Sequence, residues 1–169
     1  STQPALKNHE VREALTLATN RQALIEAGMD GRALPVAGPI YPGLEGYSSD
    51  FKTGLFSLEA AQEILAKNNW ELDQDGIASK KIGSEVIRLD FEIIVPEIDF
   101  LVRVADILAK DWHTVGVNLR PVILSPSEIT SEIIKTRNYE LINFGNNLKN
   151  TPDIFSFWHS SERFYPGLN

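Results

Sequence analysis

Residues 87–124 read IRLDFEIIVPEIDFLVRVADILAKDWHTVGVNLRPVIL, and a change of period inside this stretch decides the fold. From Ile87 the apolar side chains alternate, with Ile87, Leu89, Phe91, Ile93 and Val95 on one face and Arg88, Asp90 and Glu92 on the other. A period of two is that of a strand. Pro96 ends it. From Ile98 the spacing lengthens: Ile98, Leu101, Val102, Ala105, Leu108, Ala109 and Trp112 fall at i, i+3, i+4, i+7 intervals, which lays one apolar stripe along a helix. Gly116 stops that helix. A second strand follows over residues 117–123, where Pro121 removes a ladder donor and so places the strand at an edge or kinks it.

Downstream, residues 127–136 form a shorter helical pattern with Ser125 or Ser127 as N-cap, and residues 139–144 a third strand. Strands joined by helices of this length pair in parallel through right-handed crossovers. The fold class is therefore α/β, a mostly parallel sheet flanked by helices. In open parallel sheets ligands bind outside the carboxyl ends of the strands. Here those ends are Val95-Pro96-Glu97 and Phe144-Gly145-Asn146-Asn147.

Upstream, Val11, Ala14, Leu15 and Ala18 make the apolar face of a first helix, with Asn8 as its cap and Glu10 in its first turn. Asn20 caps a second helix that ends near Gly28, a residue suited to a left-handed turn. Residues 31–54 form a Gly/Pro-rich loop centred on Gly38-Pro39-Ile40-Tyr41-Pro42-Gly43. Ser57 caps a third helix carrying Leu58, Ala61, Ile64 and Leu65, which finishes at Asn68-Asn69 before a core Trp70. Asp73-Gln74-Asp75-Gly76 is a hairpin turn. The whole of residues 1–169 reads as one domain.

A formal net charge of -7, with no Lys/Arg cluster to offset it, disfavours a phosphate backbone, so nucleic acid is not an expected partner. The absence of cysteine excludes disulfides, thiolate metal sites and cysteine nucleophiles. His9, His113 and His159 lack metal-ligand spacing, and the calcium-like opening at Asp73 fails where Ser84 stands in place of a glutamate, so no metal is expected. No G-x-S-x-G, P-loop or GxGxxG is present, and no cofactor is expected. Carboxylate pairs such as Glu10/Glu13 read as solvated helix faces, so the expectation is a protein that is not an enzyme. No apolar run spans a bilayer and no signal sequence is legible. A start at Ser1 rather than Met is what a mature or excised polypeptide shows.

The order Val11-Arg12-Glu13-Ala14-Leu15, Asn20-Arg21, Gly38-Pro39, residues 60–65 (AAQEIL), Asn69-Trp70 and Asp75-Gly76-Ile77 resembles that of the family 5 extracellular solute-binding proteins, the oligopeptide and dipeptide receptors of ABC importers. Val115-Gly116-Val117, Tyr139-Glu140-Leu141, Gly145, Pro152-Asp153 and residues 157–161 (FWHSS) extend the resemblance over nearly the whole chain. It implies one lobe of a periplasmic-binding-protein-like fold, corresponding to part of the C-terminal lobe. It also implies a peptide or other small solute as ligand, an ABC permease in the membrane as partner, and an N-terminal lobe of the same protein that closes over the ligand. The implied location is periplasmic or extracellular, with anchoring through an N-terminal segment outside this sequence. Peptide-binding relatives commonly carry a Trp and an Asp after the glycine that Gly145 resembles, whereas this chain has Asn146-Asn147-Leu148-Lys149. That departure opens the alternative of an oligosaccharide or another non-peptide solute.

The candidate ligand-binding residues each carry a plainer reading. Asn146 and Asn147 offer donors and acceptors to a polar solute, or cap a turn. Trp158, within the aromatic group Phe155, Phe157, Phe164 and Tyr165, stacks on a ligand or packs the lobe. Asp153 pairs with a ligand amine or caps a helix beginning at Ile154. Tyr41 covers a ligand or decorates the surface, and Glu97 stands at a strand end. Two other classes remain open on sequence alone: a hydrolase with a carboxylate pair across a cleft, and an interaction module pairing through an exposed sheet edge.

Overall fold

Leu89 is the residue at which the chain passes from one sheet into another. A computed structural model describes residues 3–50, 54–145 and 154–163. In it the Leu89 amide donates to the Ala78 carbonyl at 2.8 Å, while the Leu89 carbonyl accepts from the Asn118 amide at 2.9 Å. Before Leu89 lie β1 (Glu71–Leu72), β2 (Ala78–Ile82) and β3 (Glu85–Arg88), an antiparallel meander in that order. After it lie β4 (Asp90–Pro96), β5 (Asn118–Leu124) and β6 (Leu141–Ile142), a parallel sheet in the order β5-β4-β6. The alternation over residues 87–95 is thus two strands rather than one, and the third parallel strand is shorter than the expected 139–144. Alternation fixes which side chains point inward but not which neighbour takes the hydrogen bonds. Ile87 is half-buried while Leu89 and Phe91 are fully buried, so the inward pattern runs unbroken through the junction.

The parallel sheet is the expected one. Ile93, Ile94 and Val95 are consecutive and all buried, as in a parallel strand covered on both faces. Pro121 stands opposite Ile93 in β5, which is paired on one side only among the described residues, the place where a missing N–H is tolerated. Helix α4 (Asp99–His113) links β4 to β5 and buries Ala105 and Trp112, with Leu101, Val102, Leu108 and Ala109 half-buried beside them. The Trp112 indole donates to Thr19 Oγ1 at 3.0 Å. Serine 125 caps α5 (Pro126–Glu128) in a reciprocal capping box, and the helix widens into a π turn over Ile129–Ile134.

The amino-terminal helices complete the core. Helix α1 (His9–Leu17) buries Val11, Ala14 and Leu15 against Ala61 and Leu65 of α3 (Leu58–Lys67). Ser57 caps α3 through the Ala60 amide at 3.1 Å, and Asn69 takes the left-handed conformation, φ 61°, that returns the chain to buried Trp70. The expected cap Asn8 instead donates its side-chain amide to the Pro4 and Ala5 carbonyls. Helix α2 (Arg21–Ala23), capped by Asn20 through the Ala23 amide at 3.0 Å, widens into a π turn over Leu24–Gly28. The left-handed residues after it are Asp30 and Gly31, at φ 52° and 71°, and not Gly28. Gly28 serves close approach: a Cβ there would lie 2.7 Å from Val104 Cγ2 on α4. Residues 32–50 contain no helix or strand. Helix α6 (Phe155–Trp158) and a 3-10 turn at Ser160–Arg163 end the described chain.

Candidate functional site

Because β4, β5 and β6 run in parallel, their carboxyl ends share one edge of the sheet. The Glu97 amide donates to the Leu124 carbonyl at 2.8 Å, carrying the β4–β5 pairing one residue past Pro96. The Ile98 amide then donates to the Pro96 carbonyl at 2.7 Å and turns the chain into α4. Ile98 is the N-cap and has no side-chain cap bond, while Asp99 puts a carboxylate in the first turn, where the helix dipole favours it. On the other side, the Asn143 amide donates to the Ile94 carbonyl at 2.8 Å and its side chain donates to the Leu101 carbonyl at 3.4 Å. That side-chain bond ties the end of β6 to the start of α4.

The tips so assembled are apolar and open. Ile98 is 40% exposed, Phe100 37% and Phe144 47%, with Glu97 exposed beside them. Among the described residues no Lys or Arg pairs with Glu97 or Asp99. The opposite edge of the sheet is closed by charge: Asp90 accepts from Asn118 at 3.0 Å and pairs with Arg120, which also reaches Glu92 at 3.6 Å. One edge is therefore held by its own ion pairs, and the other presents large side chains to whatever meets it.

The expected site residues divide. Glu97 stands at the tips. Tyr41 is half-buried in the irregular segment, its carbonyl accepting from the Leu44 amide at 3.3 Å. Trp158 is 62% exposed and Phe155 50%, so neither packs the core, while Phe155 stacks on His159 at 4.3 Å. Asn146, Asn147 and Asp153 lie outside the described residues, as do Phe164 and Tyr165. Sequence reading placed Phe144 at a strand end without naming it as a ligand contact, and it missed Ile98 and Phe100 at the tips. Ile98 belongs to the helical stripe by spacing but acts as the N-cap, and Phe144 lies past the two-residue β6. Phe100 sits off the stripe, and an aromatic side chain on the polar face of a helix, just after a parallel strand, is the signal that marks it.

The Asp73 turn is structural. Asp73 Oδ1 accepts from the Asp75 and Ile77 amides at 2.9 and 3.1 Å, and Arg88 pairs with Asp73 and Asp75 at 2.8 and 2.9 Å. Burial pushes the Asp73 carboxyl up, but those two amides and Arg88 more than reverse this and leave it below the ordinary value. Among the described residues no group of three His, Asp or Glu side chains gathers as metal ligands.

Residues 1–164 match the family model described as bacterial extracellular solute-binding proteins, family 5 Middle. Heme-binding protein A of Haemophilus influenzae is 27% identical over 115 residues, which cover 68% of this chain and 19% of that protein. The oligopeptide-binding protein AppA from Bacillus subtilis, solved in complex with a nonapeptide, superposes with a TM-score of 0.85 at 21% identity, over 98% of this chain and 33% of that one. NikA from Brucella suis, solved in complex with Fe(III)-EDTA, gives a TM-score of 0.77 at 19% identity, over 99% of this chain and 32% of that one. At these identities the two structures speak to fold, and they share the α/β architecture described above. The chain spans a third or less of each of these relatives. The matched family is one of binding proteins and not of enzymes. With the match running over nearly its whole length, this chain belongs to the bacterial extracellular solute-binding proteins of family 5.

Proposed function

We propose that this chain is part of the solute-binding component of an ABC importer, which captures a peptide-like solute outside the membrane and delivers it to the permease. The observation that carries the reading is the open apolar edge at the parallel strand tips, Ile98, Phe100 and Phe144 beside Glu97. A solute seated there removes the exposed part of Phe144 from water, which contributes about 2 kcal/mol at roughly 25 cal/mol per Å². A second lobe, outside residues 1–169, supplies the opposite wall, and contacts made to both walls at once favour the closed state. Asn146, Asn147, Asp153, Trp158 and Tyr41 are the further residues proposed to line the cleft. Among the described residues no helix is long and apolar enough to cross a membrane. The proposed place of action is the periplasm or the cell exterior, with anchoring through a segment preceding this one.

A second reading, a non-peptide solute, is favoured by Asn146-Asn147-Leu148-Lys149 after Gly145. AppA holds a nonapeptide and the Brucella protein Fe(III)-EDTA, so the fold itself does not choose between cargo classes. Calorimetric titration of the full-length polypeptide with peptides of graded length, oligosaccharides and chelated metals separates the two. Saturable heat without chemical change in the solute is the expected result. Turnover of a titrant would overturn the binding-protein reading.

A further inference from the structure

We propose that Asn143 is the polar anchor of the solute site: its side-chain oxygen accepts an N–H or O–H from the bound solute, so the group seated there is a donor and not a carboxylate. The inference rests on the preceding reading, in that it takes the strand tips to be where the solute sits.

Asn143 is the residue at which the chain leaves β6. Its amide donates to the Ile94 carbonyl at 2.8 Å, and its Nδ2 donates to the Leu101 carbonyl at the start of α4 at 3.4 Å. A carbonyl oxygen only accepts, so the side-chain atom facing Leu101 is the nitrogen. The carboxamide is planar, and holding its nitrogen on the helix turns Oδ1 away from it. Among the described residues Oδ1 accepts from no donor, and it is not one of the buried atoms left without a partner, so it reaches water. Its neighbours in the chain are apolar. Phe144 follows it and is 47% exposed, and Phe100, 37% exposed, precedes the Leu101 that holds it.

Such an oxygen selects at the moment water leaves. A solute that covers the tips displaces water from Oδ1, and the oxygen then needs a donor from the solute. A solute that brings an apolar group or another acceptor to that point leaves a covered carbonyl unpaired. A site built around a hydrogen bond rejects such an analogue far more strongly than an apolar pocket rejects an extra methylene. Charge acts in the same sense. Glu97 and Asp99, at the same edge, pair with no Lys or Arg among the described residues, so a carboxylate brought to Asn143 meets an acceptor and two acids without counter-charge. The chemistry that fits is an apolar body bearing an N–H or O–H, as a backbone amide beside a hydrocarbon side chain or an indole offers.

Indole and 1-methylindole share an apolar body and differ in that donor, and NMR titration of the full-length polypeptide with each tests the proposal. Indole is expected to bind about tenfold more tightly and to shift the Asn143 carboxamide carbon, while 1-methylindole leaves that carbon where it is. In Asn143→Leu the two probes are expected to bind alike, whereas Asn143→Asp, which keeps an acceptor, retains the preference for indole. An Asn143 that merely props the edge would, on replacement, weaken both probes equally and leave their ratio unchanged, which would overturn the proposal. So would a parent protein that binds the two alike, or binds neither. Should Asn143→Leu fail to fold, the carbon shift in the parent decides alone. A peptide or sugar that binds saturably without moving the Asn143 carbon would refute the anchor and leave the importer reading standing. A preference for indole in a protein that captures no solute would do the reverse.

Discussion

Replacing Gly116 with alanine tests how the meander is joined to the parallel sheet. Gly116 sits at φ 79°, and its carbonyl accepts from the Ala78 amide at 2.7 Å. A Cβ there would lie 2.5 Å from Leu72 Cδ2, 3.2 Å from the Ala78 nitrogen and 3.3 Å from the Ala78 Cβ. Leu72 is 67% exposed and can swing aside. Ala78 cannot, because its nitrogen is fixed by the bond it makes to Gly116. The left-handed conformation costs a non-glycine residue roughly 1–2 kcal/mol, and crowding of a packed site adds about 1–2 kcal/mol. Gly116→Ala is thus expected to destabilise by about 2–4 kcal/mol. Two controls separate the contributions. Gly83, at φ 64° with nothing within 4 Å of a Cβ, isolates the backbone cost, about 1–2 kcal/mol. Gly28, without a positive φ but 2.7 Å from Val104 Cγ2, isolates crowding against a β-branched side chain that a helix holds in one rotamer. Urea unfolding followed by Trp fluorescence reads all three, and at a slope near 2 kcal/mol per M the Gly116→Ala midpoint falls by about 1–2 M. A Gly116→Ala loss no larger than that of Gly83→Ala would refute the view that the two sheets are locked together at this point.

Other expectations follow from single contacts. Asn20→Ala removes the acceptor for the Ala23 amide and is expected to cost about 1 kcal/mol in chemical denaturation; no measurable loss would mean that the cap is idle. The Ser125 hydroxyl, followed by the Ser125 amide, holds the Glu128 carboxyl below its ordinary value of 4.5. A depressed folded value contributes stability that is present above pH 4.5 and fades as the pH falls through the lowered value. In Ser125→Ala the Glu128 titration, followed by carboxyl-carbon NMR, is expected to move up towards the ordinary value, and an unchanged curve would remove Ser125 as the cause. Phe144→Ser and Phe100→Ser, at exposed tips, are expected to weaken solute binding about tenfold to thirtyfold each while shifting the unfolding midpoint little. Equal binding by the two variants and the parent would place the solute elsewhere.

The features legible in the sequence are those decided locally. Pro121 announces an edge because an imide nitrogen cannot join a ladder, and β5 is at the edge among the described residues. Asn69 tolerates φ 61°, and Ser57 and Asn20 cap as their positions suggest, whereas alternation assigned Ile93 and Val95 to one face and left the burial of Ile94 on the other unread. What escaped depends on distant partners. The polar run Ser79-Lys80-Lys81 conceals β2, whose pairing with β3 is visible only once both are placed. Leu89 carries the same inward pattern as its neighbours, yet its two backbone bonds go to different sheets. The π turns over Leu24–Gly28 and Ile129–Ile134 leave no mark in the spacing of apolar residues. At the site, Glu97 and Phe144 follow from strand direction and Phe100 from its place off the apolar stripe, but the exposure of Ile98 depends on how β6 meets the first turn of α4, through Asn143 and Leu101. No local pattern encodes that meeting.

The most direct test of solute capture at the strand tips is a crystal structure of the full-length polypeptide, purified with the solute it carries from its host or soaked with the best calorimetric ligand. Solute density in van der Waals contact with Glu97, Ile98 or Phe144, and closed over by a second lobe, is the outcome expected. Solute lodged on the Asp90–Arg120 side of the sheet, with the tips buried against protein instead, would contradict it.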